Sequence, residues 1–418
     1  MHWYKKLYVW SLVLEPMLFF VAGHRDHTII TANISRILQL IFLIYIATGG
    51  VKFENFFLKR KFKYFWFSLY FSIISGVLGI VLGYYDGLSA QSPYLIYTIH
   101  PAIIRSFLEY IIFIYYFVYF VIFFSVFIRS KEEFDFFFKI FKLMFFTSII
   151  VGTVDYVVYP IFGVDLVTRH LYDFNSSGYR FHGLFGEPRD AFINLGIGLG
   201  IYYVMCIHSN KKTNKFILLS IIICMYLTKS TSGMMGLIFF GVMIQFVLIF
   251  HKKIKSSMYL FIISMLMISS FIILTPRLQI HTKHMSVDTV SKVYNKEIEV
   301  PESFKGQMSN IYPIFWIYEG LVQLDINRLL MGGGLGMSSI VNQKYLGVYT
   351  VSNPNAFIIK LLGDLGLIGS IMFFFSLYYP VLKTHIPQRK IKRNIIVLSV
   401  FAIGLLLAHK GAAPYIFI

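Results

Sequence analysis

The stretch FLEYIIFIYYFVYFVIFFSVFI, residues 107–128, decides the class of fold. Glu109 is its only acidic or basic residue, and Arg129 ends the apolar run. A helix needs about 20 predominantly apolar residues to cross the hydrocarbon core of a bilayer. The stretch therefore predicts a transmembrane helix.

Composition extends this interpretation to the whole chain. Of its 418 residues, 57% are hydrophobic and only 14% are charged, and the mean hydropathy is +0.68. A soluble domain is typically about 45–50% apolar and about 25% charged, whereas disordered chains are poor in aromatic residues. These values exclude an ordinary cytosolic protein and a disordered one. The two cysteines, Cys206 and Cys224, lie in apolar runs and predict neither a disulfide framework nor a cysteine metal site.

Further apolar runs recur from end to end and predict an all-α polytopic membrane protein with about 11 transmembrane helices in one domain, residues 1–418. The first run ends in Val21-Ala22-Gly23, which loosely resembles the end of a cleavable signal. Glu15 and Pro16 interrupt it, and we expect a retained first helix. The predicted spans are residues 7–23, 37–51, 64–84, 107–128, 143–161, 191–207, 216–228, 234–250, 258–274, 356–379 and 395–408.

The net charge of +18 sets the orientation of these spans. Six segments hold 22 of the 38 Lys and Arg residues in only 62 positions, and all six fall on one side of the membrane. The positive-inside rule places that side, with the N-terminus, in the cytoplasm. No basic stripe lies on a soluble module, so the charge does not predict nucleic-acid binding. The segments are residues 1–6, 52–63, 129–142, 208–215, 251–257 and 380–394.

The outer face carries two long loops, residues 162–190 and 275–355, and long loops are usually functional. In the second loop, residues 311–324 are apolar with an aromatic end, which is typical of an interfacial or re-entrant helix or of one packed on the bundle. The histidines of His281-Thr-Lys-His284 lack an intervening carboxylate and a third ligand, so they do not predict a zinc site.

The densest charged motif is YRFHGLFGEPRDAF, residues 179–192, at the entrance to the sixth span. An arginine such as Arg180 offers a fork of donors that can clamp a diphosphate, and Glu187 could accept a proton from a sugar hydroxyl. Pro188 predicts the start of a helix, whose first amides would also attract an anion. The alternative is a charged collar in which Glu187 and Arg189 pair for structure alone.

Other polar groups carry weaker predictions. The glycines of MGGGLGM, residues 331–337, lack the Lys-Ser/Thr pair of a nucleotide loop, so they predict tight turns or close backbone approach. The turn KSTSG, residues 229–233, either binds an anion through Lys229 or caps a helix through its hydroxyls. Charged residues in or near spans are candidates for substrate contact or for snorkelling to the surface; they are Glu15, Arg105, Glu109, Asp155, Arg277, Lys360 and Asp364.

Four stretches in order resemble the bacterial O-antigen polymerase (Wzy) and O-antigen ligase superfamily. RFHGLFGEP, residues 180–188, resembles its Arg-x-x-Gly-x-Phe-x-x-Pro motif, and LTKSTSG, residues 227–233, resembles its polar turn between two helices. Residues 316–336 resemble its helix and Gly-rich turn, and SNPNAFIIKLLGDLGLIG, residues 352–369, resembles the segment that enters the next span. The resemblance covers roughly the second half of the chain.

Two departures favour a polymerase over a ligase within that superfamily. Ligases carry a histidine before the asparagine of the last stretch, where this chain has Ser352-Asn353. The polar turn often carries an arginine after its first serine, where this chain has Thr231.

The resemblance implies a metal-independent glycosyltransferase of lipopolysaccharide biosynthesis in the bacterial inner membrane, with its long loops in the periplasm and no cofactor. Its substrates would be oligosaccharides carried on undecaprenyl diphosphate, and membrane lipid and a chain-length regulator protein would be its other partners. Arg180 and Glu187 are the expected catalytic residues. The expected substrate-binding residues are His182, Arg189, Arg277 and Asn353.

Three other functions stay open. A flippase for lipid-linked oligosaccharides would show internal repeats and charges deep in a cavity, and neither is visible in the sequence. A transferase that uses lipid-phosphate sugars usually has an acidic pair in its first outer loop, where HRDH, residues 24–27, offers only Asp26. An O-antigen ligase is the closest alternative, and product analysis separates it from a polymerase.

Overall fold

The computed structural model of the protein describes residues 1–17, 34–50, 63–87, 89–91, 99–163, 166–167, 179–230, 325–337, 357–383 and 395–400, with single positions at 233, 236, 258, 262, 269, 291, 292, 295, 297, 402, 403 and 405. This part of the chain is mostly helical, in agreement with the predicted all-α class. It forms two compact units. Unit 1 comprises residues 1–57, 116–234 and 413–418, and unit 2 comprises residues 58–115 and 235–412.

Ten α-helices are described in chain order. They are α1 Trp3–Val13, α2 Ile34–Tyr45, α3 Lys63–Val81, α4 Ala102–Tyr116, α5 Phe123–Phe127, α6 Lys131–Phe162, α7 Pro188–His208, α8 Lys215–Leu227, α9 Ile326–Met331 and α10 Phe357–Lys383. Turns of π-helix follow α2 at Ile46–Gly50 and join α4 to α5 at Phe117–Ile122, and a 3₁₀ turn, Gly183–Phe185, precedes α7. Two antiparallel strands, β1 Ser89–Gln91 and β2 Ile99–Pro101, form a small hairpin that the sequence did not predict.

Three continuous helices are long and apolar enough to cross a membrane: Ala102–Phe127, Lys131–Phe162 and Pro188–His208. They correspond to the predicted spans 107–128, 143–161 and 191–207. Shorter apolar helices cover Ile34–Gly50, Phe65–Val81 and Lys215–Leu227, where three more spans were predicted. The spans at 234–250 and 258–274 and the helix at 311–324 lie almost wholly outside the described residues, so the count of eleven stays a prediction.

Helix α6 is much longer than the span predicted within it. It begins at Lys131 because Ser130 and Glu133 form a capping box, in which the Ser130 hydroxyl accepts from the Glu133 N–H and the Glu133 carboxylate accepts from the Ser130 N–H. It ends at Gly163, whose φ of +68° is left-handed. Its 32 residues extend about 48 Å. The segment 129–142, predicted as a connecting loop, is therefore mostly helix.

The first helix is shorter than predicted, since α1 ends at Val13 rather than at residue 23. Glu15, just beyond it, is buried and accepts hydrogen bonds from Ser35 (2.8 Å) and Gln39 (2.6 Å) on α2. Its other oxygen pairs with Arg36 at 2.5 Å. The charged residue that interrupts the apolar run thus joins the start of α2 to the end of α1.

In unit 2, α3 packs against α10, and α10 packs against α9. Helix α10 is broken at Gly366, where φ is +63°. The break lies against Gly332, the residue that follows α9, and a Cβ on either glycine would overlap backbone atoms of the other segment. Glycine at both positions therefore permits a close backbone approach between the two segments.

Candidate functional site

The charged segment that precedes α7 lies against the side of α6 in unit 1. The Tyr179 ring stacks on Tyr159 with centroids 4.8 Å apart, and the Leu184 N–H donates to the Ser148 hydroxyl at 3.0 Å. Tyr159 and Ser148 are eleven residues apart, so the segment runs about 16 Å along the helix axis. Its interior residues, Phe181 among them, are buried. The segment therefore packs along α6 with a buried interior.

Glycine allows this approach at one point of α6. A Cβ on Gly152 would stand 2.5 Å from the Cα of Gly183, which is closer than two carbon atoms can pack. Gly183 itself has a φ of +55° and opens the 3₁₀ turn. Both positions need glycine, because backbone atoms crowd Gly152 and the backbone of Gly183 is left-handed.

Arg180 joins the charged segment to the C-terminal end of α8. Its Nε donates to the Thr228 carbonyl and its Nη2 to the Lys229 carbonyl, each at 2.8 Å. The Phe181 N–H donates to the Leu227 carbonyl at 3.0 Å. The last carbonyls of a helix carry negative partial charge and lack partners within the helix, so a guanidinium suits them. Two of the four stretches that carry the family resemblance therefore meet here.

Lys229 adds a second cation at the same place. Its side chain is exposed, and its Nζ lies 3.4 Å from the Tyr179 carbonyl, next to Arg180 in the chain. Its φ is +46°, in the left-handed region that residues other than Gly, Asn and Asp seldom adopt. The sequence suggested Lys229 as one of two alternatives only, since nothing in it shows the backbone angle or the neighbouring arginine.

Glu187 and Arg189 form an ion pair at the start of α7. Pro188 is the first residue of this helix, as predicted, and Glu187 occupies the N-cap position without capping it. The Glu187 carboxylate instead holds the Arg189 Nη2 through Oε2 at 2.6 Å. In the described structure the Glu187 Oε1 makes no hydrogen bond, so it is the oxygen that could accept a proton. Arg189 also lies 3.7 Å from the Asp190 carboxylate.

His182, predicted to contact substrate, lies in the protein interior. Its Nδ1 is 2.9 Å from the Gly183 carbonyl, and its Nε2 is 3.4 Å from the Asp155 carboxylate. Asp155 also accepts from the Leu166 N–H at 2.8 Å and from the Tyr179 hydroxyl at 2.5 Å. The sequence treated Asp155 only as an isolated charge, because its partners follow 11 to 27 positions later.

Four of the six predicted site residues lie in the described part of the chain, in the segment before α7 and its first turn, and they are Arg180, His182, Glu187 and Arg189. Arg277 and Asn353 lie outside the described residues. Their predicted contacts with substrate stay predictions.

A second group of charges is buried in unit 2. Glu109 pairs with Arg105 at 2.8 Å and with the Lys360 ammonium at 2.9 Å. One turn further along α10, the Asp364 carboxylate accepts from the Gly336 N–H at 3.0 Å, and its carbonyl accepts from the Gly334 N–H at 2.9 Å. These bonds confirm that the glycine-rich stretch makes a close backbone approach. They also join the other two stretches of the family resemblance.

An apolar cavity in unit 1 adjoins the charged segment. Phe185 of the 3₁₀ turn lines it, together with side chains of α1, α6 and α7. Asn194 is the one polar residue of this lining. Within the ranges that the structure describes, no three His, Cys, Asp or Glu side chains lie close enough together to hold a metal ion.

Comparison with known proteins adds nothing to this geometry. No family model, no curated protein and no solved structure matches the chain.

Proposed function

We propose that the protein is an O-antigen polymerase in the bacterial inner membrane. It would join oligosaccharide repeat units, carried on undecaprenyl diphosphate, at the periplasmic face. The observation that carries the proposal is the contact between Arg180 and the turn at Lys229, because it joins two cationic residues in the segment that leads to the Glu187–Arg189 pair at the start of an apolar helix. Cations suit a diphosphate, and a carboxylate suits a hydroxyl that must lose a proton.

The proposed reaction needs no metal or nucleotide, because the donor already carries its leaving group. A hydroxyl oxygen on the non-reducing sugar of the incoming unit attacks the anomeric carbon of the growing glycan. The bond from that carbon to the diphosphate oxygen breaks, and undecaprenyl diphosphate leaves with the bonding electrons. The hydroxyl proton passes to a base. The protein must therefore neutralise the diphosphate and hold both substrates in line.

Each proposed role uses a group with suitable chemistry. Arg180 and Arg277 bind the diphosphate, and Glu187 accepts the proton through Oε1. Arg189 holds Glu187 in place, which agrees with their 2.6 Å contact. Asn353 hydrogen-bonds to sugar.

The test is a gel of lipopolysaccharide from cells that lack the gene, complemented with the wild-type chain or with Arg180→Ala. We expect the deletion to leave lipid A core with a single repeat unit and no ladder. The wild-type gene should restore the ladder, and Arg180→Ala should not restore it although the protein reaches the membrane in equal amount. Arg129→Ala is the matched control, since Arg129 is an exposed arginine of unit 1 whose Nε also donates to a helix carbonyl, that of Ser125, at 3.0 Å.

Two results would contradict the proposal. Loss of the single-unit band as well as the ladder would indicate ligation or export instead of polymerisation. A ladder of normal length with Arg180→Ala would remove Arg180 from the site.

A further inference from the structure

Lys229 occupies a backbone conformation that its own residue type does not favour. Among the described residues, only Asn210 (φ +51°) and Lys229 (φ +46°) are non-glycine residues with positive φ. Asparagine adopts the left-handed conformation readily, whereas lysine pays a steric cost between its Cβ and the backbone. Both residues follow the C-terminal end of a helix, where glycine is the usual choice. The left-handed conformation of Asn210 is therefore expected for its residue type. At position 229, glycine or asparagine would be less strained than the lysine that is present.

Packing does not account for the lysine. Its side chain is exposed, and its single hydrogen bond within the described structure, from Nζ to the Tyr179 carbonyl, is long at 3.4 Å. A neutral carbonyl at that distance offers an ammonium little stabilisation. The strain is therefore not offset by contacts of the side chain within the fold, and strained positions of this kind cluster at functional sites.

Lys229 contacts Arg180 through its backbone carbonyl and the adjoining Tyr179 through its ammonium. The Lys229 carbonyl accepts from the Arg180 Nη2 at 2.8 Å, and the Lys229 ammonium reaches the residue before Arg180. Two neighbouring cations repel each other, and an anion with several oxygens that touches both removes the repulsion. Diphosphate is the anion of this kind that the proposed reaction supplies.

We propose that Lys229 binds the diphosphate of the lipid-linked substrate together with Arg180. This assignment rests on the proposed function for the identity of the lipid, whereas the chemistry it names is that of a diphosphate, either lipid-linked or free. From this left-handed position the ammonium reaches the carbonyl of Tyr179, the residue before Arg180, and a role in binding the diphosphate accounts for the strained residue.

The test compares three variants of the purified full-length chain in nanodiscs. Lys229→Gly relieves the strain and removes the ammonium, Asn210→Gly changes a left-handed residue at the opposite end of α7 from the site, and Lys229→Arg keeps a cation. The probes are undecaprenyl diphosphate and inorganic pyrophosphate, with affinity and melting temperature measured for each protein.

We expect Lys229→Gly to melt no lower than the wild type and yet to bind diphosphate about tenfold more weakly, as the loss of one charge-assisted contact implies. Asn210→Gly should bind like the wild type, and Lys229→Arg should keep most of the affinity. Weakened binding of the lipid alone would name the lipid carrier as the ligand, and weakened binding of pyrophosphate alone would name the free ion; both support the site.

Equal affinity of Lys229→Gly and the wild type, or no binding of either probe to the wild type, would overturn the assignment. The proposed function fails by a different result. If binding depends on Lys229 but cells with the wild-type gene make no ladder, the anion site stands and the polymerase does not.

Discussion

The Asp155 carboxylate lies 3.4 Å from the Nε2 of His182, and both side chains are at most 3% exposed. The same carboxylate oxygen accepts the hydroxyl of Tyr179 at 2.5 Å. Tyr179 and His182 stand on either side of Arg180 in the chain, so one residue of α6 fixes the backbone on both sides of the arginine. The Gly183 carbonyl faces the other ring nitrogen of His182 at 2.9 Å.

We predict that Asp155→Asn lowers polymer formation about tenfold or more. The two oxygens of this buried carboxylate accept from the Leu166 N–H and the Tyr179 hydroxyl, and an amide has only one accepting oxygen, so one bond is lost and the segment around Arg180 loosens. Hydrogen exchange followed by mass spectrometry should show faster exchange of the amides of residues 179–187. The control is Asp135→Asn, which alters the other Asp–His pair of α6, in which Asp135 lies 2.9 Å from His208 at the end of α7. The Asp135 side chain is 54% exposed, so its pairing with His208 should matter little. Equal effects of the two variants would contradict the prediction.

The sequence predicted helices well where one local signal determines them. Runs of about 20 apolar residues marked the three long helices, and Pro188 marked the start of α7 because proline fits the first helical turn. The length of α6 was underestimated because the apolar run begins only after Lys142, whereas the helix begins at the Ser130–Glu133 capping box. Hydropathy detects the membrane segment, and capping sets the helix end.

The candidate site was predictable in composition and not in arrangement. The density of charges at residues 179–192 indicated a special segment, and Glu187 does pair with Arg189, two positions away. The contact of Arg180 with Thr228 and Lys229 spans nearly 50 positions, so no local pattern contains it. The role of Asp155 was missed for the same reason.

We predict that Gly366→Ala unfolds or severely destabilises unit 2, whereas Gly87→Ala is mild. Both glycines have positive φ, +63° and +68°, so the backbone strain of alanine should lower the free energy of unfolding by a similar amount in each variant, about 1–2 kcal/mol. At Gly366 the added Cβ also meets backbone atoms of Leu330 and Gly332, whereas at Gly87 it meets nothing within 4 Å. Overpacking against backbone adds about 1–3 kcal/mol or more. Melting temperatures of the two purified variants measure the difference. Similar values would show that the backbone around Leu330 and Gly332 shifts to accommodate the added Cβ at little cost in stability.

The last prediction separates Glu187 from the acidic residue three positions later. If Glu187 is the base, Glu187→Gln should lower kcat about 100-fold or more while KM changes little, because general bases contribute about 10²–10⁴ in rate. Asp190→Asn is the control, since Asp190 lies 3.7 Å from the same arginine in the first turn of α7 and is more exposed. Arg189→Lys should retain part of the activity, because lysine keeps the charge beside Glu187 and loses the fork that orients it. Polymerisation of a purified lipid-linked repeat unit gives kcat and KM for each variant. If Glu187→Gln raises KM and leaves kcat unchanged, the carboxylate is a binding group. If Asp190→Asn lowers kcat as much as Glu187→Gln does, the negative charge at the start of α7 matters and the base is another residue.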